Sequence, residues 1–283
     1  MSDRYTPGVP CWVDTTQPDP QAAVEFYGGL FGWQLEDSMP PEAPGHYFIG
    51  RIDGKDAAAV SSTQQGAPPM AVWNTYVWVE SADGTAAKVV EAGGKVLMDP
   101  FDVMEAGRMA VCADPEGAVF CIWQPNQHRG AQAINQHGGL NFNDLNTRDA
   151  DGAKRFYGAV FGWGTLEMGG GAETWTLPGY GDFLDGLNPG YVERMKEMGA
   201  PEGFWNVVAS LRPIPEDDSD TPAHWGVVFG SDDAEATAAK ARELGGTVLA
   251  DPFDAPWCRM TVIQDPQGAV FTASQFVPEN KDL

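Results

Sequence analysis

Two aspartates, Asp14 and Asp144, hold equivalent places in two related stretches of this chain. A carboxylate can work as a general acid or base once burial moves its pKa, or it can grip the polar atoms of a ligand. The same side chain at a strand end can instead accept backbone N–H groups and do no chemistry. Both readings stand for this pair. Four cysteines (Cys11, Cys112, Cys121, Cys258) lie far apart with no CxxC, which reads as reduced thiols in a cytosolic chain. Cys121 falls in an apolar, β-rich run with no nearby histidine to activate it, so it reads as a core thiol rather than a nucleophile. The four histidines, His46, His128, His137 and His224, fall in loops or at strand starts. Aromatic surface is more plentiful. Ten tryptophans are present, and Trp12, Trp78, Trp123, Trp175, Trp205 and Trp225 fall on predicted strands, where they can form core or stack on a planar ligand.

The elements that must position these residues occur twice. Residues 11–33 (CWVDTTQPDPQAAVEFYGGLFGW) align without a gap on residues 141–163 (NFNDLNTRDADGAKRFYGAVFGW), 130 positions on (144 − 14), with 9 of 23 identical. So long a period marks a duplicated domain rather than a short-repeat solenoid. In the first copy Val9 to Thr15 reads as a strand. Asp19 then caps a helix with Pro20 at its first position. Ala22, Ala23, Phe26, Tyr27, Leu30 and Phe31 give that helix one apolar face, and Gly28, Gly29 and Gly32 weaken and end it.

Further along, residues 46–51 and 57–61 read as strands joined at Asp53-Gly54, and residues 63–69 as a loop. Residues 72–79 read as another strand. Ser81 or Asp83 caps a helix stopped by Gly93-Gly94, followed by a strand over 95–98. Residues 108–113 and 118–123 pair across the tight turn Asp114-Pro115-Glu116-Gly117. The first copy therefore contains two units of strand, helix and three strands. The second repeats the order: Trp225 to Phe229 matches the Trp73 strand, Asp232 or Asp233 caps a helix stopped by Gly245-Gly246, and Asp265-Pro266-Gln267-Gly268 repeats the turn. We place the domains at 1–125 and 139–283, with a polar linker at 126–138. An insertion at about 186–222, peculiar to the second domain, holds a short helix near Tyr191 to Met198 and an acidic loop, as decoration or as a lid.

The totals narrow the function classes. The apolar and charged shares, 43% and 20%, are those of a globular protein, and no apolar run is long enough for a membrane span. The start, MSDRYTPGVP, lacks the apolar region of a signal peptide, so a cytoplasmic location is expected. A net charge of −23 argues against nucleic acid as a partner and favours a neutral or cationic ligand, or serves solubility alone.

The order of motifs, with a helix ending in FYxxxFGW, a helix ending in GG, then DPxG and a final strand, resembles the vicinal oxygen chelate superfamily. That group contains glyoxalase I, the bleomycin-resistance proteins, extradiol dioxygenases and fosfomycin-resistance enzymes. The resemblance covers nearly the whole chain. It implies an α+β fold of tandem glyoxalase-like domains, each of paired βαβββ modules curled into a cup. It says little of function, because the scaffold hosts many chemistries.

Enzymes of that superfamily hold a divalent ion with His, Glu or Gln from four strand positions. Transferred here, those positions fall on Trp12 and Phe142, on Asn74 and Gly226, on Cys121 and Thr272, and near Ser61 and Ala209. None is His or Glu, whereas zinc, iron or nickel needs several imidazole, carboxylate or thiolate donors converging. The usual metal site is therefore expected to be absent, and no cofactor is expected. Asp14 and Asp144 lie two residues past the first position, on the same face of their strands as Trp12 and Phe142. The candidate catalytic pair is Asp14 and Asp144. The candidate ligand-binding residues are Trp12, Asn74, Trp78, Cys121, Trp123, Phe142, Trp205 and Thr272, with no metal ligands.

The leading expectation is a metal-independent small-molecule-binding protein that binds or sequesters an aromatic or cationic metabolite or antibiotic. A metal-free isomerase or lyase using Asp14 or Asp144 is the alternative, followed by a glyoxalase or dioxygenase with relocated metal ligands. The expected partner is a small molecule, with no nucleic acid and no membrane, and a monomer is favoured over a homodimer.

Overall fold

The structure is a computed structural model that describes residues 5–63, 66, 69–169, 172–281 and 283. Four βαβββ modules follow one another. The first is β1 (Pro10–Gln17), α1 (Pro20–Phe31), β2 (Gln34–Asp37), β3 (Tyr47–Ile52) and β4 (Lys55–Ser62). The second is β5 (Val72–Trp78), α2 (Ala82–Glu91), β6 (Lys95–Val103), β7 (Gly107–Ala113) and β8 (Val119–Pro125). The third is β9 (Leu140–Thr147), α3 (Ala150–Phe161), β10 (Gly164–Gly169) and β11 (Ala172–Thr176), then two extra helices, α4 (Tyr180–Leu187) and α5 (Tyr191–Glu197), before β12 (Val207–Pro213). The fourth is β13 (His224–Gly230), α6 (Ala234–Glu243), β14 (Thr247–Ala255), β15 (Cys258–Gln264) and β16 (Val270–Phe276). The strands form two eight-stranded sheets, ordered β2-β3-β4-β1-β5-β8-β7-β6 and β10-β11-β12-β9-β13-β16-β15-β14. Within each module the first and last strands pair in parallel and the hairpin strands antiparallel, which makes the fold mixed α+β.

Local chemistry explains the helix limits. Asp19 and Asp149 accept a backbone N–H from Ala22 and Gly152, and α1 and α3 stop where Gly32 (φ 70°) and Gly162 (φ 74°) turn left-handed. The helix α1 runs straight through Gly28 and Gly29. A Cβ on Gly29 would lie 3.0 Å from Leu244, so this glycine admits a close neighbour rather than ending the helix. Ser81 caps α2 and Asp233 caps α6.

Several elements differ from expectation. The expected strand at 95–98 continues through the Asp99-Pro100-Phe101-Asp102 motif to Val103. Pro100 is tolerated there because β6 is the last strand of its sheet, and a bulge lies between Met98 and Phe101. α4 was not expected, and β2, one of the three strands that a βαβββ module requires after its helix, had no residues assigned to it. Trp205, expected on a strand, belongs to a 3₁₀ turn at Phe204–Asn206, where the Lys196 ammonium stands 5.3 Å from its ring centre. Within the interval 186–222, residues 207–213 form β12, which pairs with β9 as β4 pairs with β1. The polar stretch 126–138 holds two fully buried alanines, Ala131 and Ala133. The expected loop at 63–69 falls partly outside the described residues.

The chain divides into two compact units, each drawing on both copies. The first unit comprises Met1–Cys11, Thr75–Gly130 and Asn143–Trp225; the second comprises Trp12–Asn74, Ala131–Phe142 and Gly226–Leu283. The second unit's core sets Tyr27 and Phe31 of α1 against Phe229, Phe271 and Trp73. The first unit's core sets Tyr157 and Phe161 of α3 against Phe120, Trp163 and Trp225.

The repeated motifs meet inside these cores. Asp114 Oδ1 accepts N–H groups from Glu116, Gly117 and Ala118 at 2.9–3.0 Å, while its Oδ2 accepts the Tyr157 hydroxyl at 3.1 Å. The Tyr157 oxygen in turn accepts the Trp225 indole N–H at 2.9 Å. In the second unit Asp265 does the same with Gln267, Gly268 and Ala269, and accepts Tyr27 at 2.9 Å and Gln17 at 2.7 Å; Trp73 donates to Tyr27 at 3.2 Å. The DPxG turn of one copy is thus the partner of the FY helix of the other.

Candidate functional site

A polar cluster in the second unit gathers around Asp14. β1 alternates, so Trp12, Asp14 and Thr16 share one face. β4 lies parallel to β1 with Asp14 opposite Ala59, and β3 lies antiparallel to β4 with Tyr47 opposite Ser61. Those registers carry the Tyr47 hydroxyl to Asp14 Oδ2, at 3.1 Å. The Trp12 indole N–H donates to the same Tyr47 oxygen at 2.9 Å. From β5 the Asn74 amide donates to Asp14 Oδ1 at 2.8 Å and to Thr16 Oγ1 at 3.2 Å. Asp14 is 3% exposed, but Tyr47 and Asn74 are half-buried. A buried carboxylate therefore accepts from two neutral donors that are themselves half-buried. Such a group can accept a ligand's hydrogen bond or exchange a proton with the Tyr47 hydroxyl, whose oxygen the Trp12 indole N–H holds in place.

The equivalent carboxylate in the first unit has a different partner. Asp144 Oδ2 pairs with Arg212 Nε of β12 at 3.0 Å. Its Oδ1 is buried and has no hydrogen-bond partner among the described residues. The two equivalent carboxylates thus differ in their named partners: Asp14 accepts from a phenol and a side-chain amide, Asp144 from a guanidinium.

The remaining candidates are spread over both units. In the first unit Trp78 of β5 and Trp123 of β8 are register partners; the Trp78 ring stacks on Tyr5, and the Trp123 indole donates to the His128 carbonyl at 3.0 Å. Cys121 is buried beside them on β8. In the second unit Phe142 is half-buried on β9 and Thr272 lies on β16 opposite Val228. Trp205 belongs to the turn described above. The structure brings together Trp12, Asp14 and Asn74, and joins them through Tyr47 and Thr16, which sequence reasoning did not single out. Their signal was the strand register, which no spacing along the chain displays.

The side chains at the transferred ligand positions do not fit a divalent ion. The Trp12 indole can only donate, the Asn74 amide N–H is turned towards Asp14 and Thr16, and Phe142 has no donor atom. Among the described residues no group of three or more His, Cys, Asp or Glu could hold a metal.

Residues 12–122 match the model of the glyoxalase/bleomycin resistance protein/dioxygenase superfamily, and residues 142–274 match that of the glyoxalase-like domain. CFP32 of Mycobacterium tuberculosis, provisionally named a glyoxylase, is 38% identical over 281 residues, covering 98% of this chain and 98% of its own. The anthracycline biosynthesis protein DnrV of Streptomyces peucetius is 34% identical over 284 residues, covering 95% and 94%. The Mn(II)-bound glyoxalase from Novosphingobium aromaticivorans superposes with a TM-score of 0.59 at 14% identity, over 95% of this chain and 82% of that one. The 2,3-dioxygenase LapB from Pseudomonas sp. KL28 does so at 0.58 and 12%, over 96% and 93%. At those identities the likeness to the solved structures is one of fold. The chain belongs to the glyoxalase/bleomycin resistance protein/dioxygenase superfamily, as a tandem of two such domains. No helix among the described residues is long and apolar enough to cross a membrane.

Proposed function

We propose that this chain is a metal-independent small-molecule-binding protein whose ligand engages the Asp14 cluster. The observation that supports it is the fate of the first-strand position: Trp12, where the superfamily resemblance sets a metal ligand, is hydrogen-bonded into a network ending on a buried carboxylate. The half-buried Tyr47 and Asn74 are the groups a ligand would meet first. The relatives named for anthracycline biosynthesis suggest a planar, fused-ring aromatic as the ligand class. Such a compound would lie on ring surface and exchange hydrogen bonds with Tyr47 and Asn74. The protein acts as a cytoplasmic monomer in this reading, without nucleic acid or membrane as a partner.

The test is a tryptophan-fluorescence and calorimetric titration with an anthracycline, run on protein stripped with a chelator and on protein supplied with Mn(II), Zn(II) or Ni(II). Equal affinity in both is the expected result, with a loss of roughly tenfold or more in Asp14→Asn. Binding that needs the metal, or an Asp14→Asn variant indistinguishable from wild type, would refute it.

The second reading is a metal-free acid–base enzyme, favoured by the Tyr47–Asp14 hydrogen bond, which pairs a proton donor with an acceptor. Turnover of a small metabolite lost in both Asp14→Asn and Tyr47→Phe would move the assignment there.

A further inference from the structure

A cleft of about 630 Å³ opens in the first unit, on residues that the Asp14 cluster does not use. Its inner wall is Tyr5 and Trp78, whose rings stack with centres 6.0 Å apart and planes at 30°. Facing them, α4 supplies Phe183 and Leu187, and Phe183 is itself stacked on Tyr180 at 6.3 Å and 17°. Two carboxylates enter from separate elements, Glu80 just past β5 and Asp182 in the first turn of α4; both residues are exposed. No Lys, Arg or His is among the described residues that line the cleft.

These features select a ligand class. The volume is that of a drug-sized ligand site. Tyr5 and Trp78 are buried, so the half-buried Phe183 carries most of the ring surface a ligand could meet, and a ring face favours a flat, cationic partner. Glu80 and Asp182 add direct ionic contacts, and a chain of net charge −23 draws cations and repels anions. The cleft also depends on α4, for which the first copy has no counterpart, since β3 runs directly into β4 there through Asp53-Gly54. It is an addition to the duplicated scaffold. We propose that this cleft is a second ligand site, selective for a planar organic cation.

The full chain is titrated with proflavine, a fused tricyclic cation, and with anthracene-2-sulfonate, a fused tricyclic anion, by calorimetry and tryptophan fluorescence. The expected result is saturable, one-to-one proflavine binding that weakens as NaCl rises from about 50 mM to about 500 mM. The sulfonate should bind at least roughly tenfold more weakly. The double variant Glu80→Gln/Asp182→Asn should lose roughly tenfold or more in proflavine affinity while keeping the wild-type melting curve, because both side chains are exposed. Phe183→Ala should lose affinity for both probes. The proposal falls if proflavine shows no saturation up to about 1 mM. It falls equally if the sulfonate binds as well as the cation, or if the double variant binds like wild type. Loss of proflavine binding in Asp14→Asn but not in the double variant would place the ligand at the Asp14 cluster instead, and so also overturn it.

Discussion

Three times among the described residues an indole N–H donates to a phenol oxygen whose hydroxyl donates to an aspartate: Trp12–Tyr47–Asp14, Trp73–Tyr27–Asp265 and Trp225–Tyr157–Asp114. The last two are structural, because the aspartate's other oxygen already serves three turn N–H groups and the phenol is fully buried. In the first, a side-chain amide takes that other oxygen and the phenol is half-buried. Tyr157→Phe should cost about 1–3 kcal/mol in urea unfolding, since it strands a buried carboxylate oxygen and an indole N–H. Tyr27→Phe should cost less, because Gln17 still donates to the same Asp265 oxygen and only the Trp73 indole is stranded. Tyr47→Phe should cost less stability and more ligand affinity, a split that calorimetry and denaturation read separately. Burial also pushes the Cys112 thiol up to about 12 and holds Cys11, Tyr27 and Tyr157 above their ordinary values. A group whose pKa is raised by folding stabilises the fold below its unfolded pKa and ceases to as pH climbs through the folded one. For Cys112 that window runs from about 9 to about 12, so unfolding free energy should decline there, and less steeply in Cys112→Ala. Sequence reasoning singled out Asp14, Trp12 and Asn74 as candidates, because a repeat and a family pattern mark their positions. Tyr47 and Arg212 carry no such mark. What qualifies them is which strand lies beside which, and in what register.

Helices were more legible than strands, for a physical reason. Four helices carry their own punctuation, an aspartate or serine cap and a glycine at or just past the end, and these fixed α1, α2, α3 and α6 to within a residue or two. The four-residue β2, with one half-buried and three exposed side chains, has no apolar alternation to read. The helix α4 has no side-chain cap, and its aromatic face is spent on the cleft. The terminal glycine of α1 offers a clean measurement. A Cβ at Gly32 would meet nothing within 4 Å, so Gly32→Ala tests the left-handed backbone alone. It should cost about 1–2 kcal/mol, visible as a lower denaturation midpoint with an unchanged m-value.

At the scale of the whole chain, duplication was plain from the repeats, but the way the copies share their cores was not. Both copies carry the same FY helix and nearly the same DPxG turn, so the sequence is silent on whether each helix closes on its own copy's turn or the other's. The contacts show the latter: residues 12–74 pack with 226–283, and 75–130 with 143–225. Separate expression of residues 1–138 and 139–283 should therefore give no cooperatively folding monomer from either piece, while co-expression restores a cooperative melt; size-exclusion chromatography and denaturation check this. The same partition bears on the ribosome. By residue 225 the middle of the polypeptide has all its companions, whereas the opening α1, with Phe26, Tyr27 and Phe31 on one side, must wait for Phe229 and Phe271. From Phe31 to Phe271 that wait is 240 residues (271 − 31), roughly 12 to 48 s at about 5–20 residues per second, during which a greasy helix stands bare and is a natural client for a nascent-chain chaperone.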